Sequence, residues 1–333
     1  MKPIKEDNGG ILANLDEVEF STNMDWDGVL SRITDEETII CTYGEPDAEY
    51  NPFLKTHLPH MSNVMIVNGL NSKVCSEDAY YNKIKSFNSN AKVYIKDTTH
   101  AKFLLIAPNE VYVTSQNVGY SDWFQVTVHI KDQGAFDFYK KVIYAYAEKK
   151  LYSDLAKDWD ALRFLAPERQ IIGTIGQNSS ASCVTVQAPL CKLFRMTNWN
   201  AKFNNIRDHH FTICTYTLPD YNYAEMTVKK LLSYGNKVKI IINSQFKSVA
   251  ERLDNAIKDS RFSYVCHPAI HAKIVLCDNH SVWIGSHNFG NSRWFESLYQ
   301  IKNCPNVYDY YNQKLQDFIY SDLSINDFIF PDE

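Results

Sequence analysis

The sequence predicts an α/β fold built twice, two layers of strand and helix within one chain of 333 residues. Two observations predict it: a long stretch of the first half recurs in the second, and each copy alternates short β-branched runs with helix-spaced segments. Residues 100–130, HAKFLLIAPNEVYVTSQNVGYSDWFQVTVHI, lie without a gap over residues 271–301, HAKIVLCDNHSVWIGSHNFGNSRWFESLYQI, at a constant displacement of 171. Twelve of these 31 positions are identical, where ordinary composition would give about two.

The match extends outward with small changes of displacement, as loops of unequal length require. Trp26, Ile33, Asp35, Ile40, Cys41, Thr42 and Tyr43 correspond to Trp199, Ile206, Asp208, Ile213, Cys214, Thr215 and Tyr216, all displaced by 173. Downstream, Tyr152-Ser153-Asp154-Leu155 recurs as Tyr320-Ser321-Asp322-Leu323. The repeats therefore span about residues 18–160 and 190–330, a period far too long for a solenoid.

In the first copy the runs 38–43, 63–68, 91–95, 102–106 and 110–114 are short, apolar and bounded by Asn, Gly, Pro or Asp, which predicts strands. The segment 135–151 has helical spacing. The matching strands of the second copy are 211–216, 237–242, 262–266, 273–277 and 281–285, with helices near 222–234 and 305–319. This ladder implies sheets with helices on their faces. Gly173, Gly176 and Asn178-Ser179-Ser180 mark 166–186 as the connector. The expected division is an N-terminal domain, 1–165, and a C-terminal domain, 166–333.

A hydrophobic fraction of 45% is enough for two cores. A net charge of -5 provides no broad basic field, so any nucleic-acid groove must be local. The segment MKPIKEDNGG lacks the apolar core of a secretory signal, and no run approaches the roughly 20 apolar residues that span a bilayer. A cytoplasmic protein is the expectation. The eight cysteines sit in strand-like runs with no C-x-x-C spacing and read as buried reduced thiols.

Both copies place a histidine and a lysine two residues apart at the start of a strand, His100 with Lys102 and His271 with Lys273, so that each pair points to one face. Hairpins near Pro108-Asn109 and Asn279-His280 would return the chain so that Ser115 and Asn117, and Ser286 and Asn288, end beside those histidines. Lysine neutralises nonbridging phosphate oxygens, and serine and asparagine add neutral donors. A neutral imidazole can attack phosphorus, while a protonated one can give its proton to the leaving alkoxide. The duplication supplies one of each.

The second-half pattern is His271-x-Lys273, four residues, Asp278, six residues, Gly285-Ser286-x-Asn288. It resembles the HKD signature of the phospholipase D superfamily at every defined position. The first copy keeps His100, Lys102, Ser115 and Asn117 at the same spacing, with Ala107 in place of the aspartate and Thr114 in place of the glycine. The resemblance implies a pseudo-twofold pair of phospholipase D-like α/β domains, each a mixed sheet flanked by helices. It also implies a phosphohistidine intermediate, with no metal and no cofactor. Asp278 follows the buried strand and is expected to fix the turn. Members often carry a downstream glutamate that accepts the other ring N–H, for which Glu296 and Gln125 are the candidates. A Glu296–His271 contact would favour His271 as the acid and leave His100 as nucleophile.

Trp26 and Trp199, and the Trp123-Phe124 and Trp294-Phe295 pairs, read as core or hairpin packing rather than base-stacking platforms. His57, His60 and His209-His210 read as surface or capping residues. Lys96, Lys202, Arg207, Lys247 and Arg293 are the cations available to a substrate groove. The expected function is a metal-independent nuclease acting on DNA or RNA, as a monomer of two pseudo-symmetric halves or as a homodimer. Its alternatives are a lipid phospholipase D or phosphatidyl transferase, and a binding module that has lost the chemistry.

Overall fold

The computed structural model describes residues 11–14, 17–44, 53–70, 76–96, 98–148, 178–179, 183–187, 190–194, 199–291 and 294–321. Strand β1 (Ile11–Asn14) comes first. The first repeat then runs β2 (Glu17–Ser21), α1 (Trp26–Leu30), β3 (Thr38–Tyr43), α2 (Phe53–His57), β4 (Val64–Gly69), α3 (Glu77–Phe87), β5 (Lys92–Ile95), β6 (Phe103–Ile106), β7 (Glu110–Thr114), β8 (Thr127–Lys131) and α4 (Gln133–Glu148). Three strands follow, β9 (Asn178–Ser179), β10 (Cys183–Gln187) and β11 (Leu190–Phe194). The second repeat is α5 (Trp199–Lys202), β12 (His210–Thr215), α6 (Tyr221–Ser233), β13 (Lys237–Asn243), α7 (Lys247–Ile257), β14 (Phe262–His267), β15 (Ile274–Cys277), β16 (Ser281–Gly285), β17 (Leu298–Lys302) and α8 (Pro305–Ser321).

The strands make two mixed sheets, β5-β4-β3-β6-β7-β8-β2-β10-β9 and β1-β11-β17-β16-β15-β12-β13-β14. In each, three strands pair in parallel, β3-β4-β5 and β12-β13-β14, and the rest run antiparallel. The parallel pairs need crossovers, which α6 and α7 supply in the second repeat and α2 and α3 in the first. The ladder read from sequence is thus present in both repeats, with edges shifted by a residue or two.

Strand exchange links the two sheets. β1 pairs with β11 in the second sheet, and β10 pairs with β2 in the first. Position 165/166 lies outside the described residues, but the sheets do not divide the chain at one point there. The connector expected over 166–186 is corrected in its described part, where Asn178–Ser179 and Cys183–Gln187 are strands. The run Cys183-Val-Thr-Val-Gln is β-branched, and an edge of the first sheet gives it a partner.

Among the described residues, three apolar clusters form. One lies on the outer face of the first sheet, around Trp26, Ile40, Tyr80 and Leu104, and another on the outer face of the second, around Trp199, Ile213, Val228 and Trp283. The third is shared: Phe103, Phe124, Tyr139 and Ile143 of the first repeat pack with Ile274, Phe295, Tyr299 and Tyr311 of the second. Alternation explains the arrangement. In β6, Phe103 and Leu105 face the shared cluster while Leu104 and Ile106 face outward, and β15 divides Ile274 and Leu276 from Val275 and Cys277 in the same way. Both faces are covered, which is why these strands read as unbroken apolar runs. Cys41, Cys214, Cys277 and Cys304 are buried free thiols.

Candidate active site

His100 and His271 stand just before β6 and β15, at the seam between the repeats. The backbone stitches that seam symmetrically: His100 N–H donates to the Phe295 carbonyl (2.9 Å) and His271 N–H to the Phe124 carbonyl (3.2 Å). Phe295 and Phe124 are themselves equivalents, displaced by 171. Each histidine is therefore docked on the repeat that does not contain it.

The side chains repeat the crossing. Nδ1 of His100 lies 3.1 and 3.0 Å from the two Glu296 carboxylate oxygens, and Nδ1 of His271 lies 3.0 Å from Gln125 Nε2 and 3.1 Å from its Oε1. Glu296 thus contacts His100, not His271, which corrects the pairing considered from sequence. A displacement of 171 identifies equivalent residues but cannot say which repeat completes which ring. Glu296 is held by the Ser286 hydroxyl (2.5 Å), and Gln125 Oε1 accepts from the Ser115 hydroxyl (2.8 Å).

Those two contacts revise the phosphate-binding role expected for Ser115 and Ser286. Both serines are 0% exposed. Their hydroxyls are committed to Gln125 and Glu296, and they accept from the backbone N–H of Val126 (3.0 Å) and Ser297 (2.9 Å). They orient the residues that orient the histidines. Asn117 and Asn288 are half-buried, with Asn288 Oδ1 accepting from the Thr215 hydroxyl (3.2 Å).

Lys102 and Lys273 are buried, and each ammonium donates to its own histidine's carbonyl, at 2.7 and 2.6 Å. Each also lies over a tyrosine ring, Lys102 5.6 Å from Tyr43 and Lys273 5.8 Å from Tyr216. Burial pushes Lys102 down to about 8 and Lys273 well below the usual lysine range, the latter also through repulsion from Lys102. Burial and the two lysines likewise hold both histidines well below their ordinary value. Burial raises the Glu296 carboxyl. Two cations crowded around one carboxylate favour an additional anion.

The halves differ at one further point. The Lys273 ammonium lies 3.0 and 3.1 Å from the two ring nitrogens of His271, while Lys102 makes no such contact with its imidazole among the described residues. A cation against the ring disfavours a proton on it. His271 therefore has a positive neighbour and a neutral amide, and His100 has a carboxylate.

Asp278 stands away from this cluster. Its Oδ1 accepts from the His210 backbone N–H (2.7 Å), and His209 Nδ1 donates to its carbonyl (2.7 Å), clasping the β15–β16 hairpin to the start of β12. Cys277 joins His209 and Asp278 with all ligand atoms within 4.8 Å, but burial raises its thiol. In the first repeat Ala107 N–H still donates to the Glu37 carbonyl (2.9 Å), the equivalent of Asp278 N–H to His210, so the hairpin keeps its backbone bond and lacks only the carboxylate.

Trp123-Phe124 and Trp294-Phe295 split in a way the sequence reading did not anticipate. Phe124 and Phe295 are core, whereas Trp123 and Trp294 are 36% and 40% exposed. Trp294 lies 5.7 Å from both His100 and Tyr43, and Trp123 lies 5.6 Å from His271 and 5.9 Å from Tyr216. Adjacent residues of an extended segment point oppositely, so one of each pair had to face out. Among the anticipated groove cations, Lys202 is buried, Arg207 lies over the Tyr234 ring, and Arg293 lies outside the described residues.

Residues 202–317 match the family described as "Cardiolipin synthase, PLD-like domain". No curated protein matches the sequence. Among solved structures, phosphatidylserine synthase from Haemophilus influenzae Rd KW20 superposes with a TM-score of 0.60 at 13% identity, over 95% of this chain and 92% of its own. Polyphosphate kinase from Porphyromonas gingivalis superposes with a TM-score of 0.54 at 10% identity, over 91% of this chain and 47% of its own. Nuc from Salmonella typhimurium, a phospholipase D family member, covers 36% of this chain and 82% of its own at 21% identity and a TM-score of 0.30. No helix among the described residues is long and apolar enough to cross a membrane. At these identities the structural likeness is one of fold; the family match covers residues 202–317, and that segment, which holds the complete motif from His271 to Asn288, is similar to a phospholipase D-like domain.

Proposed function

We propose that the protein hydrolyses phosphodiester bonds of nucleic acid through a phosphohistidine on His271, with His100 as general acid and then general base. The observation that carries this reading is the crossed pair of ring contacts, His100 with Glu296 and His271 with Gln125. Gln125 lies against His271 Nδ1 with both ends of its amide, Nε2 at 3.0 Å and Oε1 at 3.1 Å; with Oε1, which also accepts from Ser115, taking Nδ1–H, a neutral His271 keeps its Nε2 lone pair. Glu296 can hold a proton on His100 against the two lysines.

In the first step His271 Nε2 attacks phosphorus, the bond to the leaving oxygen breaks, and His100 gives that oxygen its proton. In the second, His100 takes a proton from water, the water oxygen attacks phosphorus, the N–P bond breaks, and both rings return to their starting states. Lys102 and Lys273 neutralise the nonbridging oxygens throughout, with Asn117 and Asn288 as neutral donors. No step calls for a metal. These roles reverse those a Glu296–His271 contact would have given.

The test is cleavage in excess EDTA of single-stranded DNA, RNA and short-chain phosphatidylcholine, each offered alone. Cleavage of a nucleic acid supports the reading, and exclusive turnover of the lipid would replace nuclease with phospholipase. Inertness toward all three would leave the binding-module reading.

A further inference from the structure

We propose that Trp123 on Tyr216 and Trp294 on Tyr43 form two stacking shelves that take the unpaired bases on either side of the scissile phosphate, making single-stranded nucleic acid the substrate. The inference rests on the phosphodiesterase reading and adds a strand preference to it. Each shelf pairs an inner tyrosine with an outer tryptophan, at ring-centroid separations of 5.9 and 5.7 Å. Tyr216 is braced by an edge contact with Phe246 at 5.2 Å and by its hydroxyl on Gln245 (3.2 Å). Each shelf touches one of the two histidines, Tyr216 5.0 Å from His271 and Tyr43 5.3 Å from His100.

The pseudo-symmetry selects the ligand class. Equivalent flat apolar surfaces on both sides of one phosphate site match a diester that carries a planar ring on both sides, as a polynucleotide does. A phospholipid carries none. A quaternary ammonium headgroup could in principle seek an aromatic face, but Lys102 and Lys273 already lie over the two tyrosines and would repel it. Base stacking on side chains also requires bases free of a duplex, and it tolerates any base because each has a π-face.

The experiment is binding of a decathymidylate with a phosphorothioate backbone, which resists cleavage, followed by anisotropy and intrinsic tryptophan fluorescence. The comparison ligands are an abasic chain of the same length and backbone and a hairpin duplex. The expected result is quenching by decathymidylate and affinity at least tenfold above both comparison ligands. Trp123→Ala and Trp294→Ala should each weaken it roughly 5- to 100-fold, the range of one lost stacked base, while Trp123→Phe and Trp294→Phe restore most of it. Equal affinity for the abasic chain or the duplex, unchanged binding by the alanine variants, or displacement of decathymidylate by phosphatidylcholine vesicles would overturn the proposal. Cleavage of ordinary and abasic single strands, run in parallel, separates the two ideas. Equal cutting of both would sink the shelves and leave the hydrolase, whereas selective binding without any cutting would sink the hydrolase and leave the shelves.

Discussion

At the residue scale, one exchange of amide for carboxylate, Gln125 against its equivalent Glu296, gives His271 and His100 different partners. Because both imidazoles lie below their ordinary pKa, kcat/KM should be greatest on the acid side of neutrality, falling as pH rises and His100 loses its proton. In Glu296→Gln the anion is gone, His100 holds its proton less well, and the alkaline limb should move to lower pH. A limb that stays put in the pH–rate profile would remove Glu296 from the acid's environment. Alanine at His100 or His271 should each cost several orders of magnitude in turnover, with the double variant little worse than either single one, since the two act as a unit. Sequence made the histidines, lysines and Asp278 legible because their spacing is rigid. It could not show that Ser115 and Ser286 face inward, since a hydroxyl in that position suits either a ligand or a neighbouring side chain.

At the element scale, the hairpins β6–β7 and β15–β16 deliver the site, and Asp278 secures only the second. Asp278→Ala removes an acceptor from His210 N–H and should cost about 1.5–3 kcal/mol of stability, the usual size for a hydrogen bond to a charged group. Denaturant unfolding measures it, and turnover per folded molecule should be nearly unchanged. Ala107→Asp should alter activity only a few-fold, because the first hairpin already makes the equivalent backbone bond to Glu37. Conversion of an inert protein into an active one by that change would favour the binding-module reading. Of the ten strands legible in the sequence, the inner ones, such as β3, β4, β6, β15 and β16, are buried on both faces and their apolar runs are continuous, while β5 and β14, at the sheet edges, are short β-branched or aromatic runs that are only partly buried. β8 and β17, with polar residues interleaved as in Thr127-Val-His-Ile-Lys131, were not legible, and neither were β2 and β10, which depend on partners far away in sequence.

At the scale of the whole molecule, the two repeats share a core as well as a site. Phe103 and Phe295 meet at 6.4 Å across the seam, Tyr146 stacks on Phe295 at 4.4 Å, and the Tyr311 hydroxyl donates to the Ser21 and Thr127 carbonyls at 2.8 and 3.0 Å. Truncating Phe295 to alanine should therefore cost about 3–5 kcal/mol, with both repeats unfolding in one transition rather than two. Separate transitions in calorimetry would show that the halves are energetically independent. The internal duplication was plain in the sequence, whereas the strand exchange between sheets and the crossing of each histidine to the other repeat were not. Alignment reports equivalence, and contact across a pseudo-twofold seam is a matter of three-dimensional packing.

The central claim is that one chain brings His100 and His271 to one phosphate, with His271 as nucleophile. The most direct test is rapid acid-free quenching and peptide mapping by mass spectrometry of His100→Ala reacting with a nitrophenyl phosphodiester, whose leaving group needs no acid. The account predicts a phosphoramidate adduct on His271 that accumulates because the base for its hydrolysis is missing, and no adduct in His271→Ala. An adduct on His100 in the wild-type protein, or turnover by His271→Ala at an undiminished rate, would contradict it.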